Sequence, residues 1–439
     1  MAGKIKRLLL LGGRFLEENP YRELIIKRLL EERGIEVVFA LPGRGINKGA
    51  HKDKSIINDP IFKAENTVLI NGDWDFHTQM RHCQMVVFCG WRSYLPLARL
   101  AQSQGRLTIN FSGSTGVDHW IHGVERCLTH SYFSKRYFAQ YHKTMGLTIL
   151  PDDEIRVIGS MQHEYFKDTS TPLIHDRETF FRYYNLNPER PIAVLFPKGI
   201  ASFQTKVEKW FKHWDKNKIY SYNKWLLDKY GEICRQVKMA DYNLLIKLHP
   251  SAYVSYNCTK QEEVKFWTQY PWAKILDASH TQAMFKHVNV GLGINTHASM
   301  DMAYFNKPFI YVDSDKIEKP SMPQFDVYDL IDLPHGPANR WKDGWNGSNP
   351  WFPSWLGGFS RGEKLAECLS YPSSFDFSKK DQDRFITEFW FKNDGKTSLR
   401  IVDEIIAFGQ EECGSLRRYL SLNLWRGKAI DLKNRLFVT

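Results

Sequence analysis

Short apolar runs alternate with helical patterns along the first half of this 439-residue chain. Such alternation is typical of βαβ units, which build a parallel sheet. The runs that predict strands lie at 5–11, 36–41, 67–70, 85–89 and 107–111. Apolar positions at helical spacing predict helices at 20–33 and 95–103. We therefore expect a Rossmann-like domain over residues 1–185.

The alternation restarts after a charged, proline-bearing stretch at 185–191. Strands are predicted at 192–196, 243–248, 273–276, 288–291 and 308–312, and helices at 219–239, 281–286 and 299–305. This pattern predicts a second Rossmann-like domain over 186–385, followed by closing helices and a basic tail over 386–439. Two such domains in tandem leave a cleft between the carboxyl ends of their strands, where ligands of these sheets bind.

Charge and cysteine content narrow the classes of partner and compartment. The chain has 60 Lys and Arg against 49 Asp and Glu, a formal charge of +11, which suits an anionic partner without identifying it. Seven scattered cysteines form no C-x-x-C pair, which indicates a reducing compartment and excludes a disulfide scaffold. The apolar run at 8–11 is far too short to span a membrane, so we expect a cytoplasmic protein.

The segment 288–301 carries the strongest chemical signal. It predicts a strand that ends at the start of a helix, where backbone N–H groups and the helix dipole bind phosphate. Small polar side chains suit such a site, and those at this helix start are Asn295, Thr296, His297 and Ser299. Asp301 would accept hydrogen bonds from ribose hydroxyls. The alternative is an ordinary helix N-cap with an acidic first turn.

Two further strands end in residues that suit an anionic ligand. His249 closes the strand 243–248 and is held extended by the proline that follows it, with Lys247 two positions earlier. Lys198 follows the strand 192–196 in a P-K-G turn. These side chains would bind a phosphate or stabilise a leaving phosphate, whereas the alternative for each is a structural turn.

The three segments P-K-G at 197–199, I-K-L-H-P at 246–250 and I-N-T-H-A-S-M-D-M-A-Y-F-N-K-P at 294–308 occur in an informative order. Together they resemble the carboxyl-terminal domain of GT-B glycosyltransferases of bacterial surface polysaccharide synthesis. That group includes capsule Kdo transferases, polysialyltransferases and CDP-glycerol glycerophosphotransferases. The segments 155–160 and 393–402 are similar to the strand before the interdomain linker and to the closing helix of these enzymes.

The resemblance implies an α/β protein of the GT-B fold, with two Rossmann-like domains facing across a cleft. It implies a nucleotide-activated donor held by His249, Thr296 and His297, and a glycan or lipid-linked glycan acceptor on the amino-terminal domain. No metal and no cofactor other than the co-substrate are implied. The sequence departs from the family at Thr296-His297, where two hydroxyls are usual, and at Asp301, where many members have Glu. The donor therefore stays open among CMP-, CDP- and UDP-linked sugars, with a cytidine nucleotide favoured.

Inverting transfer needs a general base that removes the proton of the acceptor hydroxyl. Acidic residues after the first strand and after the glycine-rich segment 112–116 of the amino-terminal domain are the candidates. We favour Glu17 and Asp118 over the neighbouring Glu18 and His119, and expect His249 to act on the leaving phosphate.

Other interpretations remain at this level. One alternative function is that of a UDP-sugar 2-epimerase, an enzyme with the same fold and a similar serine-rich helix start. Nucleic-acid binding is another, but the sequence contains no motif that supports it. The tryptophan-rich segment 339–361 predicts a loop, either pinned by its own rings or contacting acceptor or lipid. The basic segment from 414 predicts either a solvated helix or a contact with an anionic membrane surface. Asp73-Trp-Asp75 and Asp313-Ser-Asp315 mimic a D-x-D metal motif, but we interpret these acids as turn formers.

Overall fold

The computed structural model describes most of the chain in seventeen stretches. They are residues 5–12, 21–43, 63–89, 94–111, 123–144, 150–161, 164, 176–197, 214–249, 252–255, 258–277, 280–294, 296, 298–313, 358–372, 379–392 and 394–412. The chain divides into two compact units. The first comprises Met1–Lys167 together with Thr387–Thr439, and the second comprises Asp168–Ile386.

The first unit is built on a seven-stranded sheet in which the strand pairs are parallel. Its strands are β1 Arg7–Leu11, β2 Glu36–Pro42, β3 Val68–Ile70, β4 Met85–Cys89, β5 Leu107–Phe111, β6 Arg126–Thr129 and β7 Ile155–Val157. Its first helices are α1 Tyr21–Glu32, α2 Asp73–Met80, α3 Leu95–Ser103 and α4 Tyr132–Thr144. The strand order β3-β2-β1-β4-β5-β6-β7 reverses between β1 and β4. Every residue of β4 and β5 is buried, as expected for a parallel sheet covered on both faces.

The second unit repeats this arrangement with a six-stranded parallel sheet and a small antiparallel hairpin. The sheet strands are β8 Ile192–Leu195, β9 Asn243–Ile246, β12 Ala273–Ile275, β13 Val290–Gly293, β14 Phe309–Val312 and β15 Gly358–Ser360, and the hairpin strands are β10 Tyr253–Ser255 and β11 Cys258–Thr259. The helices are α5 Arg177–Tyr183, α6 Lys216–Met239, α7 Gln261–Trp267, α8 Thr281–His287, α9 Ala298–Tyr304 and α10 Leu365–Leu369. The order β12-β9-β8-β13-β14-β15 reverses between β8 and β13.

Two further helices follow, α11 Lys379–Trp390 and α12 Thr397–Glu412, and α12 packs in the first unit. The guanidinium of Arg126, at the start of β6, is almost fully buried and bonds Glu154 and Glu411 at 2.8 Å each. It also lies 4.5 Å from the ring centroid of Phe408. Because Glu411 and Phe408 are on α12, this buried cation fastens α12 to the first sheet.

The two outlying segments of the family resemblance meet in the first unit. Glu164 accepts hydrogen bonds from the backbone N–H and the hydroxyl of Ser398, at 2.6 and 2.7 Å. Gly159 has φ +101°, and a Cβ built there would lie 2.9 Å from Thr397 Oγ1. The chain after β7 therefore passes directly over the start of α12, and glycine is needed at the crossing for both conformation and space.

The fold confirms the predicted α/β class with two parallel sheets, and many element boundaries differ from the sequence prediction by one to three residues. Strand β13 begins two residues late, because the Val288 N–H still donates to Met284 of α8 and pairing with β8 starts at Val290. The amino-terminal part of the first unit extends to Lys167, whereas the sequence predicted a domain over 1–185, and Thr387–Thr439 complete this unit. Helix α5 belongs to the second unit because its Phe180 ring lies 5.0 Å from that of His287 on α8.

Candidate functional site

The carboxyl edge of the second sheet holds the described residues that were predicted to bind a nucleotide. In open sheets of this kind, ligands bind outside the carboxyl ends of the strands, where the strand order reverses. That point lies between β8 and β13. Two of the predicted residues follow β9, which neighbours β8, and three follow β13: they are Lys247, His249, Thr296, Ser299 and Asp301. The parallel topology thus places these five on one edge, on both sides of β8.

At the end of β9, one more backbone hydrogen bond continues the pairing with β8. The Lys247 N–H donates to the Leu195 carbonyl of β8 at 2.9 Å, and its half-buried ammonium donates to the Leu248 carbonyl at 3.1 Å. His249 is exposed, and its own carbonyl accepts the Ala252 N–H at 2.8 Å. The turn after β9 therefore leaves His249 exposed at the carboxyl edge of the sheet.

At the end of β13, two hydroxyls complete the start of α9. Thr296 Oγ1 accepts the Ala298 N–H at 3.2 Å, and Ser299 Oγ donates to the Thr296 carbonyl at 3.2 Å. Ser299 is fully buried, whereas Thr296 and Asp301 are half-buried. Thr296 therefore makes a capping contact, whereas Ser299 bonds back to the preceding backbone. Among the described residues of this helix start, Thr296 and Asp301 are the partly accessible polar side chains.

Two glycines in β13 allow the close approach of its neighbours. A Cβ at Gly291 would lie 2.7 Å from Phe309 Cδ2 and 2.9 Å from Met302 Cγ. A Cβ at Gly293 would lie 2.8 Å from Thr296 Cγ2. Phe309 is on β14 and Met302 on α9, so the G-x-G pattern serves helix and strand packing and sets the position of α9 against the sheet.

Several predicted residues lie outside the described part of the chain. They are Glu17, Glu18, Asp118, His119, Lys198, Asn295 and His297. The basic segment from 414 also lies outside it, as does most of the tryptophan-rich segment. The end of that segment was predicted as loop, and this part of the prediction was wrong, because Gly358–Ser360 form strand β15 against β14.

Asp313 was interpreted as a turn former, and the structure corrects this. It follows β14 with a left-handed φ of +47° and a fully buried side chain. Its carboxylate bonds Lys229 Nζ at 2.9 Å, the Gly362 N–H at 3.2 Å and the Arg361 guanidinium at 3.5 Å. Burial lowers the pKa of Lys229, but its hydrogen bonds to Glu232 and Asp313 outweigh this and raise it overall. The acid thus joins α6, β14 and the chain after β15.

A second cluster that the sequence did not reveal surrounds the end of β12. The hydroxyl of Tyr184 accepts the Asp277 N–H at 3.1 Å and lies 2.6 Å from His280 Nδ1. The hydroxyl of Tyr183 donates to Asp277 Oδ2 at 2.6 Å. Burial lowers the pKa of His280, although Asp277 opposes the shift.

In the first unit, the strand order reverses beside the end of β1. Tyr94, which follows β4, donates its hydroxyl to the Gly12 carbonyl at 2.7 Å. A Cβ at Gly12 would lie 2.6 Å from Glu23 Oε2. Glu23 is buried in the first turn of α1. A buried carboxylate at this point is a functional candidate that the sequence pattern missed, because the surrounding positions 21–33 read simply as an amphipathic helix.

Within the described stretches, the structure groups no three His, Cys, Asp or Glu side chains that could hold a metal ion. No helix within these stretches is long and apolar enough to cross a bilayer.

Comparison with known proteins rests on structure alone, since no family model and no curated protein sequence matches the chain. A His-to-Ala variant of the wall teichoic acid polymerase TagF matches with a TM-score of 0.54 and 12% identity, over 93% of this chain and 90% of that chain. A His-to-Asn variant of TagF soaked with CDPG matches with a TM-score of 0.51 and 10% identity, over 93% and 90%.

The UDP-GlcNAc 2-epimerase from Neisseria meningitidis bound to UDP-GlcNAc matches with a TM-score of 0.51 and 10% identity, over 92% of this chain and 100% of that chain. At such identities the likeness establishes the fold. This chain has the GT-B fold, as the resemblance of its motifs implied.

Proposed function

We propose that this protein is a metal-independent inverting GT-B glycosyltransferase. It transfers a sugar, or a polyol phosphate, from a CMP- or CDP-linked donor to a surface glycan. The observation that carries the proposal is the placement of His249 and of the Thr296 helix start on the two sides of β8. Neighbouring strands lie about 4.8 Å apart, so the ends of β9 and β13 are separated by roughly 10 Å. That span suits the phosphates of a nucleotide donor.

The residues at this edge have the chemistry that departure of a nucleotide requires. Negative charge develops on the leaving phosphate as the glycosidic bond breaks, and preorganised donors that face it lower the barrier. His249 and Lys247 supply such donors after β9, together with Lys198, Asn295 and His297 of the predicted set. Ser299 supports the helix start, and Asp301 accepts hydrogen bonds from the ribose hydroxyls.

With a sugar donor, the acceptor hydroxyl attacks the anomeric carbon from the side opposite the leaving phosphate. With a polyol phosphate donor, it attacks the phosphorus atom and the nucleoside monophosphate leaves. The proton of the hydroxyl passes to a carboxylate of the amino-terminal domain, for which Glu17 and Asp118 are the proposed bases. The acceptor is a glycan or lipid-linked glycan. The enzyme works in the cytoplasm at the inner face of the membrane, with its basic tail on anionic lipid.

Thermal denaturation with CMP, CDP, UDP and GDP tests the donor site, because a ligand that binds only the native state raises the melting temperature. We expect a cytidine nucleotide to give the largest shift. His249→Ala should lose that shift and keep the melting temperature of the free protein. His82→Ala, which alters an exposed histidine of the first unit, is the matched control. An unchanged nucleotide affinity in His249→Ala would remove this residue from the site.

A UDP-sugar 2-epimerase is the second candidate, favoured by the epimerase match that covers all of that chain. The two activities separate in one incubation. An epimerase converts UDP-GlcNAc without any acceptor and inverts its C2 centre, which proton NMR detects, whereas a transferase leaves C2 unchanged. Conversion of UDP-GlcNAc by the purified protein would overturn the transferase proposal.

The membrane contact has its own test. Full-length protein and a form truncated after Glu412 are sedimented with vesicles of phosphatidylcholine alone or with added phosphatidylglycerol. We expect only the full-length chain to sediment with the anionic vesicles, and less of it as salt is added. Equal binding by both forms would refute a role of the tail.

A further inference from the structure

An exposed tryptophan, Trp74, lies on the first unit and has no role in the function proposed above. Trp74 lies in the first turn of α2 with 79% of its surface exposed, more than any other large hydrophobic side chain among the residues described. The opposite face of α2 is anchored, because Phe76 and Met80 are fully buried and the Phe76 ring stacks on Phe88 of β4. The indole is therefore presented outward on a fixed helix.

The indole has a supporting ring on one side. The imidazole of His77 lies nearly parallel to it, at an interplanar angle of 23° with the ring centroids 6.1 Å apart. His77 is one turn further along α2, so the two rings are neighbours on one face of the helix. This pairing orients the indole and leaves its remaining surface open to solvent.

The start of α2 is held at the carboxyl end of β3. The Gly43 N–H, after β2, donates to the Ile70 carbonyl at 2.7 Å, and the Asn71 N–H donates to Asp75 Oδ2 at 2.9 Å. Since β3 belongs to a parallel sheet, its carboxyl end lies on the same edge as those of the other six strands. This is the edge at which sheets of this type bind ligands.

The surroundings of Trp74 select a ligand class. Asp73 and Asp75 flank Trp74 in the sequence, and both are in the first turn of α2. Carboxylates repel phosphate-rich ligands but accept hydrogen bonds from hydroxyl groups. An aromatic face beside hydroxyl acceptors matches a pyranose ring, which offers an apolar C–H face and a rim of hydroxyls.

We propose that Trp74 is a stacking platform for a sugar ring of the acceptor glycan, with Asp73 accepting hydrogen bonds from its hydroxyls. The assignment of the sugar to an acceptor rests on the proposed function, whereas the binding of saccharide at Trp74 does not. The site deepens the transferase proposal, because it gives the first unit a group that holds the second substrate.

The test uses the full chain labelled with 5-fluorotryptophan, with the Trp74 resonance assigned by its loss in Trp74→Phe. Chitohexaose and maltohexaose are the probes, and α2,8-linked oligosialic acid, whose carboxylates Asp73 and Asp75 should repel, is the charged comparison. We expect at least one probe to shift the Trp74 resonance saturably. Trp74→Ala should weaken binding of that probe by about tenfold or more, since aromatic stacking contributes up to about that factor beyond the area buried.

Tyr371→Ala is the matched control, because Tyr371 is 71% exposed and lies in the second unit. It should bind the probe as the parent does. The platform is overturned if no probe moves the Trp74 resonance, or if Trp74→Ala binds as tightly as the parent. Nucleotide stabilisation is measured on the same samples. Saccharide binding without stabilisation by any nucleotide would refute the transferase and retain the platform. Stabilisation by a nucleotide without saccharide binding would refute the platform alone.

Discussion

Replacing Asp313 by Asn removes one negative charge from a fully buried position and changes little else. Asparagine has nearly the same volume and tolerates the left-handed φ of +47°. Its amide oxygen can still accept the Gly362 N–H. What disappears is the charge that faces Lys229 Nζ at 2.9 Å and the Arg361 guanidinium at 3.5 Å.

The size of the effect follows from the burial of these groups. Asp313 exposes only 1% of its side chain and Lys229 17%. Breaking a buried pair by removing one charge costs about 3–5 kcal/mol. Lys229 retains Glu232 at 2.6 Å, so we expect the lower end, about 3 kcal/mol. At about 1.4 kcal/mol per factor of ten, this corresponds to a roughly 100-fold change in the opening equilibrium.

Hydrogen exchange followed by mass spectrometry measures that opening equilibrium for the strands next to Asp313. Peptides that cover β14 and β15 should exchange roughly 100-fold faster in Asp313→Asn, whereas peptides of the first sheet should keep their rates. Asp228→Asn, which alters an exposed pair with Lys224 on α6, should leave β14 unchanged. Parent-like exchange of β14 in Asp313→Asn would show that the buried charge contributes nothing to the stability of this edge.

Three more predictions concern buried groups. The pKa of His280 is lowered, so as the pH falls the unfolded chain binds a proton at this residue before the folded chain does. The contribution of His280 to stability should therefore be complete above about pH 6.5 and decrease below it. Between pH 7.5 and 5.5, the melting temperature of His280→Asn should depend less on pH than that of the parent. An unaltered slope in the variant would contradict this. Gly291→Ala should cost about 1–3 kcal/mol through contact with Phe309 and weaken nucleotide stabilisation as α9 shifts; a parent-like melting temperature would refute the packing argument. Burial raises the pKa of Cys83 to about 11 and of Cys234 to about 12, so neither thiol should react with Ellman's reagent at pH 8 before denaturation, and rapid labelling of either in the native protein would disprove its burial.

Much of the fold was predictable because parallel strands buried on both faces appear as continuous apolar runs. Strands β4 and β5 and helix α3 agree with the sequence prediction to the residue. The end of α3 was predictable because Gly105, with a left-handed φ of +70°, follows the helix and ends it. Strand β13 was displaced because its first predicted residues instead end α8, and apolar side chains do not distinguish these two roles.

The candidate site was predictable only where its parts are local in sequence. Each of the segments around His249 and Thr296 is a strand end followed by a turn, and such a signal lies within a few residues. The pairing of Tyr184 with His280 joins positions 96 apart, and that of Arg361 with Asp313 joins positions 48 apart. No periodicity encodes such pairs, because they depend on the order in which parallel strands assemble.

The fold does not by itself separate a transferase from an epimerase, but the two reactions differ in what they require of the first unit. An epimerase acts on one nucleotide sugar and needs acids around a single ring, whereas a transferase must also hold a second saccharide. An exposed indole oriented by His77 at the carboxyl edge of the first sheet has no evident use in the first case. In the second, it would bind a sugar ring of the acceptor, as proposed above. Saccharide binding at Trp74 would therefore favour transfer over epimerisation, and the titration of the labelled tryptophan decides whether the first unit has this site.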